Sequence, residues 1–338
     1  MSHPERTMDH TRTVHLLGPG RVGRSFLRQL SGLPLRVVAV TDTGGTLHDD
    51  DGIDVEALLR LKDSGRSVAA LRGGSPVDAC EAIERVRADF VVDATPTEAA
   101  GTEASVRRGD AALRTGAFLA LCAKNALAAA GHRWLRAPHL GRVGIHAVLG
   151  GAGRQLVQEL DLLRAECTGL ALVGNVTTTV VIEAVEAGAS VEEGIEQARL
   201  RGLLEPDPTL DLDGSDAATK LCAVWNVLFA AAGSPRSEPG AVPRQDLRTL
   251  DAAVVQQRAA RGATTRLVAR ATRGGLLCVG YEELPEASAL AAPADRVVYG
   301  FELPGRIHVI TGDALGHDRT AAALLADVSD ALGLPARP

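Results

Sequence analysis

The chain has 338 residues, enough for two packed units, since a single core rarely grows past about 250 residues. At 46% apolar and 23% charged residues it has the composition of an ordinary globular protein. A net charge of −6, a pI near 5.9 and 3% aromatic content argue against a nucleic-acid partner, and no stretch holds the ~18 uninterrupted apolar residues of a membrane span.

Residues 1–12 lack the apolar centre of a signal peptide and read as a disordered polar tail. From Thr13 to Leu17 an apolar run leads straight into Gly18-Pro-Gly20-Arg-Val-Gly23, followed by SFLRQL with apolar residues at helical spacing. A second apolar run, LRVVAVTD, ends at Asp42, so the opening reads as strand, glycine turn, helix and strand. Lys62, in the helix-like run VEALLRLKDSG, reads as a surface residue. Further buried-strand candidates are FVVDA (90–94), AFLALC (117–122) and residues 143–148, with helical stretches between them. This alternation predicts a doubly wound parallel sheet, a Rossmann-type domain over 13–147.

Beyond it the pattern changes. A short strand over 170–173 precedes two helices between Thr177 and Arg201, the second opened by a capping box at Ser190 and Glu193. The acidic loop GLLEPDPTLDLDG (202–214) leads into a helix opened by Ser215 and Asp216. After a Pro/Gly/Ser-rich connector at 233–243, four strands (TTRLVARAT, LLCVGYEEL, RVVYGFEL, RIHVIT) follow with short turns, which predicts antiparallel pairing. An amphipathic helix over 319–332 closes the chain. The expected second unit is an α+β substrate and dimerisation domain with a mixed or antiparallel sheet over 148–305, with 306–338 returning to the first.

Five widely spaced cysteines without a CxxC fit neither a common zinc layout nor a disulfide framework, and they place the protein in the cytoplasm. Lysine is scarce. Of 36 basic residues three are lysines, Lys62, Lys124 and Lys220, so a lysine marks a position where a compact amine able to release its proton is favoured over arginine.

The glycine pattern alone is weak, but here it follows a strand, opens a helix and precedes an acidic residue by 19 positions. Gly18 permits the turn, Gly20 lets backbone approach a pyrophosphate, and Gly23 lets helix and strand pack closely. Asp42 suits a ribose 2′-hydroxyl and would repel a 2′-phosphate, and Thr43-Gly44-Gly45 supply no arginine to neutralise one. NAD is therefore expected over NADP, although Asp42 capping a turn is an equally simple reading. Asp216 and Lys220 are four apart on one helix face, where an ordinary surface ion pair is the plain alternative. Against it stand the apolar continuation LCAVWNVLF and the crowding of Glu205, Asp207, Asp211, Asp213 and Asp216, which calls for solvent or a cation such as a substrate ammonium.

Several segments together resemble the homoserine dehydrogenase family across nearly the whole chain: GPGRVG (18–23), VVDATPTEA (91–99), ALCAKNALA (120–128), GNVTTT (174–179), LLEPDPTLDLDGSDAATK (203–220) and ITGDALGHDRTAAALLADV (310–328). The resemblance implies NAD(P)-dependent interconversion of L-aspartate 4-semialdehyde and L-homoserine, a step of threonine and methionine biosynthesis, by a homodimer. It implies Lys220 as proton donor, Lys124 as a second cation on the reacting oxygen, and Asp216 orienting Lys220. Substrate contacts would come from Glu205, Asp211, the Thr177–Thr178 backbone and Leu203. Gly18, Gly20, Arg21, Val22, Gly23, Asp42, Ala94, Thr95, Cys122, Lys124 and Gly316 would surround the cofactor.

The pattern is not complete. Ala123 replaces an asparagine, Leu203 a tyrosine and Arg154 a proline. The family's glutamate-led cation loop is here His146-Ala-Val-Leu-Gly150, so Na+ or K+ would rest on backbone oxygens of His146, Leu149, Gly151 and Gly153. No ACT regulatory domain is expected, nor threonine feedback through one. Two alternatives stay open: a related dehydrogenase of another small amino-acid semialdehyde or alcohol, and a non-catalytic dinucleotide sensor.

Overall fold

The computed structural model describes residues 11–71, 73–97, 101–204, 209–230, 236–314 and 316–334. A first sheet has seven strands: β1 (Arg12–Leu17), β2 (Leu35–Asp42), β3 (Gly45–His48), β4 (Gly74–Ser75), β5 (Phe90–Asp93), β6 (Phe118–Leu121) and β7 (Val143–Gly144). Their order is β4-β3-β2-β1-β5-β6-β7. β2, β1, β5, β6 and β7 run parallel, while β3 and β4 add an antiparallel edge that the sequence reading missed. The central strands are continuous apolar runs, as strands covered on both faces must be; Val14, Leu16, Val92, Leu119 and Ala120 are fully buried. Helices α1 (Arg21–Gln29), α2 (Val55–Asp63), α3 (Ala79–Val86), α4 (Thr102–Thr115) and α5 (Lys124–Trp134) alternate with them. The strand order reverses between β1 and β5, and ligands of such sheets bind at the carboxyl ends of the strands flanking that point.

After β7 come α6 (Gly153–Gln158) and α7 (Leu160–Glu166), then β8 (Gly169–Val173), α8 (Val176–Glu186), α9 (Val191–Leu200), the single turn α10 (Thr209–Leu212), α11 (Ser215–Phe229) and α12 (Ala252–Ala259). The strands β9 (Ala263–Thr272), β10 (Leu277–Pro285), β11 (Arg296–Leu303) and β12 (Arg306–Asp313) join β8 in a second, wholly antiparallel sheet of order β10-β9-β8-β11-β12. Helix α13 (His317–Ala331) then packs on α1, β6 and β7. The strand at 306–313 thus pairs with β11, and the chain returns to the first sheet with α13.

The expected strand over 143–148 forms for two residues. Asp327 of α13 lies against Gly144, where an added Cβ would sit 2.4 Å from it, and its Oδ2 accepts the His146 amide at 3.0 Å, so the chain leaves the sheet there. Ser190 and Glu193 form the expected capping box of α9. Helix α11 opens at Ser215 and Asp216 as expected, with Gly214, at φ +81°, as its N-cap and Asp213 accepting the Ser215 amide at 2.9 Å.

The pairing of α5 with α11 does most to position the site. Along α11, Leu221, Cys222, Ala223 and Val224 are fully buried, each larger side chain stabilising by about 1.5–3 kcal/mol. Gly131 of α5 allows close approach, because a Cβ there would meet Val227 at 2.8 Å. Asn226 donates to the Ala128 carbonyl at 2.8 Å, a buried bond that fixes the register of the two helices. Lys124 opens α5 and Asp216 is the second residue of α11, so this packing brings their ends together.

Candidate active site

A cavity of about 940 Å³ opens at the reversal of strand order. Gly18, Gly20, Arg21, Val22, Ala94, Thr95 and Cys122 line it from the first domain, and Leu203 from the second. Gly18 has φ +79° and an added Cβ would press on Thr95 at 3.0 Å; a Cβ on Gly23 would strike the Gly18 carbonyl at 2.3 Å. Gly20 has open space where a Cβ would stand, and as N-cap of α1 it has no capping side chain. The first amides of that helix are thus left to an anion, and this cradle fits a dinucleotide pyrophosphate. Gly316 is the N-cap of α13, and the next residue, His317, lines the same cavity.

Thr95 is held by a buried ion pair that the sequence reading did not single out. Arg108 donates through Nε to Asp93 at 3.1 Å and through Nη2 to Thr95 Oγ1 at 2.7 Å, and Asp93 also accepts the Thr95 amide at 3.0 Å. Burial raises the Cys122 thiol to about 11, so it is a neutral wall.

Asp42 lines an adjoining cavity of about 470 Å³ together with Gly18, Gly20 and Thr95. Lys62, expected at the plain surface, reaches it instead: Nζ lies 2.6 Å from Asp42 Oδ2. Ser67, the Val68 amide and the Gly44 amide add three hydrogen bonds to the carboxylate at 2.8–2.9 Å. Burial opposes its charge, but Lys62 and these donors outweigh it and hold the carboxyl below its usual range. The neutralising group missing from Thr43-Gly44-Gly45 is therefore supplied by α2.

At the other end, the two remaining lysines converge on one carboxylate. Lys124 Nζ lies 2.8 Å from Asp216 Oδ1 and Lys220 Nζ 2.9 Å from Asp216 Oδ2. Lys220 also donates to the Gly174 carbonyl at 2.6 Å, which leaves one of its three hydrogens for another acceptor. Asn175 ties the cluster together, donating to Asp211 at 3.0 Å and Asp216 at 3.2 Å while its Oδ1 caps α8 at the Thr178 amide. Asn175 lies in the GNVTTT segment, and its position before an apolar helix is an N-cap signal.

The two ammonium groups differ. The Asp216 charge, against the cost of burial, raises Lys124 above the ordinary lysine value. Lys220 is 9% exposed; desolvation, aided by the Lys124 charge, lowers it despite Asp216. Burial works against the charge of Asp216, yet both lysines hold its carboxyl well below the usual range. Asp211 is shifted up by burial and by Asp216.

Lys124, Asp211 and Asp216 line a third cavity of about 540 Å³, which shares Pro96 and Thr97 with the dinucleotide cleft. Thr177 and Thr178 are buried, and the Thr178 amide is taken by Asn175. Glu205 lies outside the described residues. In the His146–Gly153 loop the His146 carbonyl accepts from Gly151, and that of Leu149 from Ala152 and the Tyr299 hydroxyl. Among the described residues no cluster of three or more His, Cys, Asp or Glu could hold a metal.

A glycine cradle at the reversal of a doubly wound sheet, with a lysine–carboxylate cluster beside it, defines a nicotinamide-dependent oxidoreductase. Residues 156–329 match the sequence model of homoserine dehydrogenase, and residues 4–117 that of the glutamate/leucine/phenylalanine/valine dehydrogenases. The former match spans half of the chain, which belongs to the homoserine dehydrogenase family. The NAD(+)-dependent homoserine dehydrogenase of Pseudomonas canavaninivorans is 26% identical over 337 residues, covering 93% of this chain and 94% of that one. The homoserine dehydrogenase of Methanocaldococcus jannaschii is 23% identical, covering 87% and 88%. In fold, the chain is similar to a putative homoserine dehydrogenase from Archaeoglobus fulgidus at TM-score 0.77 and 22% identity, covering 94% and 98%. A hyperthermophilic archaeal homoserine dehydrogenase in complex with NADPH gives 0.74 and 21%, covering 96% and 99%.

Proposed function

We propose that the chain interconverts L-aspartate 4-semialdehyde and L-homoserine with NAD or NADP, and that Lys220 moves the proton. The observation that carries this reading is the sharing of Asp216 by Lys124 and Lys220, beside a cavity that meets the dinucleotide cleft at Pro96 and Thr97. When bound, the nicotinamide supplies or accepts the hydride. In reduction the aldehyde oxygen gains negative charge, and Lys220, lowered by burial and with one hydrogen uncommitted, delivers the proton that makes the alcohol. Lys124, kept charged by Asp216, holds the same oxygen electrostatically. Asp216 fixes both amines, and in oxidation neutral Lys220 takes the hydroxyl proton. Asp211, with Glu205, receives the substrate ammonium.

Gly18, Gly20, Arg21, Val22 and the α1 amides would hold the pyrophosphate, with Thr95 and Cys122 nearer the reacting end. Lys62 weakens the repulsion of a 2′-phosphate expected from Asp42, which supports use of both cofactors. A homodimer in the cytoplasm completes the reading. It rests on the family resemblance and on five unpaired cysteines, and no helix among the described residues is long and apolar enough to cross a membrane. Purified chain should reduce NAD or NADP in the presence of L-homoserine, followed at the nicotinamide absorbance. Cofactor binding without turnover of L-homoserine would remove the reading.

A further inference from the structure

The 940 Å³ cavity is walled by both domains, and the second domain contributes a charged side chain to it. Gly18, Gly20, Arg21 and Val22 line it from the glycine turn and the start of α1, and Arg199, in the last turn of α9, lines it from the second domain. Among the described residues of this lining, Arg21, Arg199 and His317 can carry positive charge and none is acidic. The two adjoining cavities differ in this respect, since Asp42 lines one and Asp211 and Asp216 line the other. The large cavity is therefore the one built for an anion.

Helix α9 presents Arg199 from a fixed backbone. Its first turn is closed by the Ser190–Glu193 capping box, and Gly194 packs so tightly on α8 that a Cβ there would meet the Val181 carbonyl at 3.0 Å. At the far end Gly202 takes φ +70°; its amide donates to the Arg199 carbonyl at 2.9 Å, and the Leu203 amide donates to the Ala198 carbonyl at 3.1 Å. That closure satisfies the last turn and ends the helix at the cavity wall. The guanidinium, by contrast, is weakly engaged. Glu196, three residues back on the same helix, lies 3.4 Å from it, and the two side chains are 62% and 58% exposed. A pair that open to water holds its members loosely, so a stronger acceptor can draw the planar fork of donors away.

We propose that Arg199 binds the pyrophosphate of the dinucleotide from the second domain, opposite the α1 amides and Arg21, so that both domains grip the cofactor at once. Each phosphate of that bridge is charged at neutral pH, and a guanidinium matches such an oxygen pair. The 2′-phosphate is the poorer match, because Asp42 and Lys62, which mark the ribose end, line a cavity that Arg199 does not. This inference rests on the reading of the large cavity as the cofactor cleft and adds to it a contact from outside the nucleotide-binding domain.

Equilibrium titrations of wild type, Arg199→Met and Arg199→Lys test it, using NAD, NADP and ADP-ribose, which keeps the pyrophosphate and lacks the nicotinamide. Arg199→Met should weaken all three about 5- to 20-fold, and Arg199→Lys should recover part of the loss. The salt dependence of NAD affinity should become shallower in Arg199→Met, because one charged contact is gone. The KM for L-homoserine at saturating cofactor should move far less than these affinities. Unchanged affinities would overturn the assignment. So would a loss confined to NADP, a loss not shared by ADP-ribose, or a loss seen with L-homoserine alone, which would place the arginine on the 2′-phosphate, the nicotinamide half or the substrate. A wild-type chain that binds none of the three ligands overturns the cofactor reading of the cleft instead.

Discussion

The chain's three lysines all end on carboxylates that border its clefts, but the two clusters they form behave differently. Beside the glycine loop, Asp42 takes one lysine and three further donors, so its lone pairs are filled and it acts as a fixed, neutralised post. In the cavity lined by Lys124 and Asp211, Asp216 is divided between two lysines, and the lysines are unequal in depth. Lys220 has 11% of its side chain exposed against 28% for Lys124, and burial lowers the first while the carboxylate raises the second. One carboxylate filled by a single amine and three further donors gives a fixed support. One carboxylate shared by a shallow and a deep amine gives an anchored charge next to a group able to release its proton.

The comparison breaks most visibly at its hub. Asp216→Ala leaves two neighbouring amines with Asp211 as their remaining counter-charge, which should cost about 3 kcal/mol of stability and lower kcat by roughly 100-fold or more. Chemical denaturation and single-turnover rates would show it; a variant as stable and active as wild type would mean the lysines never depended on Asp216. Next in size is Lys124→Met, expected to reduce kcat/KM for L-homoserine about 10- to 100-fold. It also sharpens the asymmetry. Reduction needs protonated Lys220, so its rate should fall as pH rises through a value below the ordinary lysine range, and oxidation should show the opposite limb. Removing the Lys124 charge should move both limbs to higher pH; limbs that stay put would detach Lys220 from the profile. Smallest is Lys62→Met, which exposes the Asp42 charge and should raise the KM for NADP about 5- to 10-fold, an effect of roughly 1 kcal/mol, with NAD less affected. Equal changes for both cofactors would show that Lys62 has no bearing on the phosphate.

Local chemistry was readable and long-range pairing was not. The glycine turn, the capping box at Ser190 and Glu193, the four antiparallel strands and the helical spacing of Asp216 and Lys220 depend on neighbours in sequence, and all were legible. The Lys62–Asp42 pair spans 20 residues and a change of element, so a helix-like run gave no sign of it. Lys124 and Asp216 are 92 residues apart; spacing could not join them, and the family resemblance did. The strand over 143–148 failed for the same reason, since the group that ends it, Asp327, comes from the final helix. The β3–β4 edge is too short to carry a periodic signal.

The mechanism turns on the buried amine of residue 220 carrying the proton during hydride transfer. The kcat of Lys220→Ala with L-homoserine, measured beside a cofactor-binding titration, tests it most directly. A fall of about 100- to 10,000-fold with cofactor affinity intact is expected. A kcat equal to that of the wild type, in a variant that is folded and binds cofactor, would contradict it.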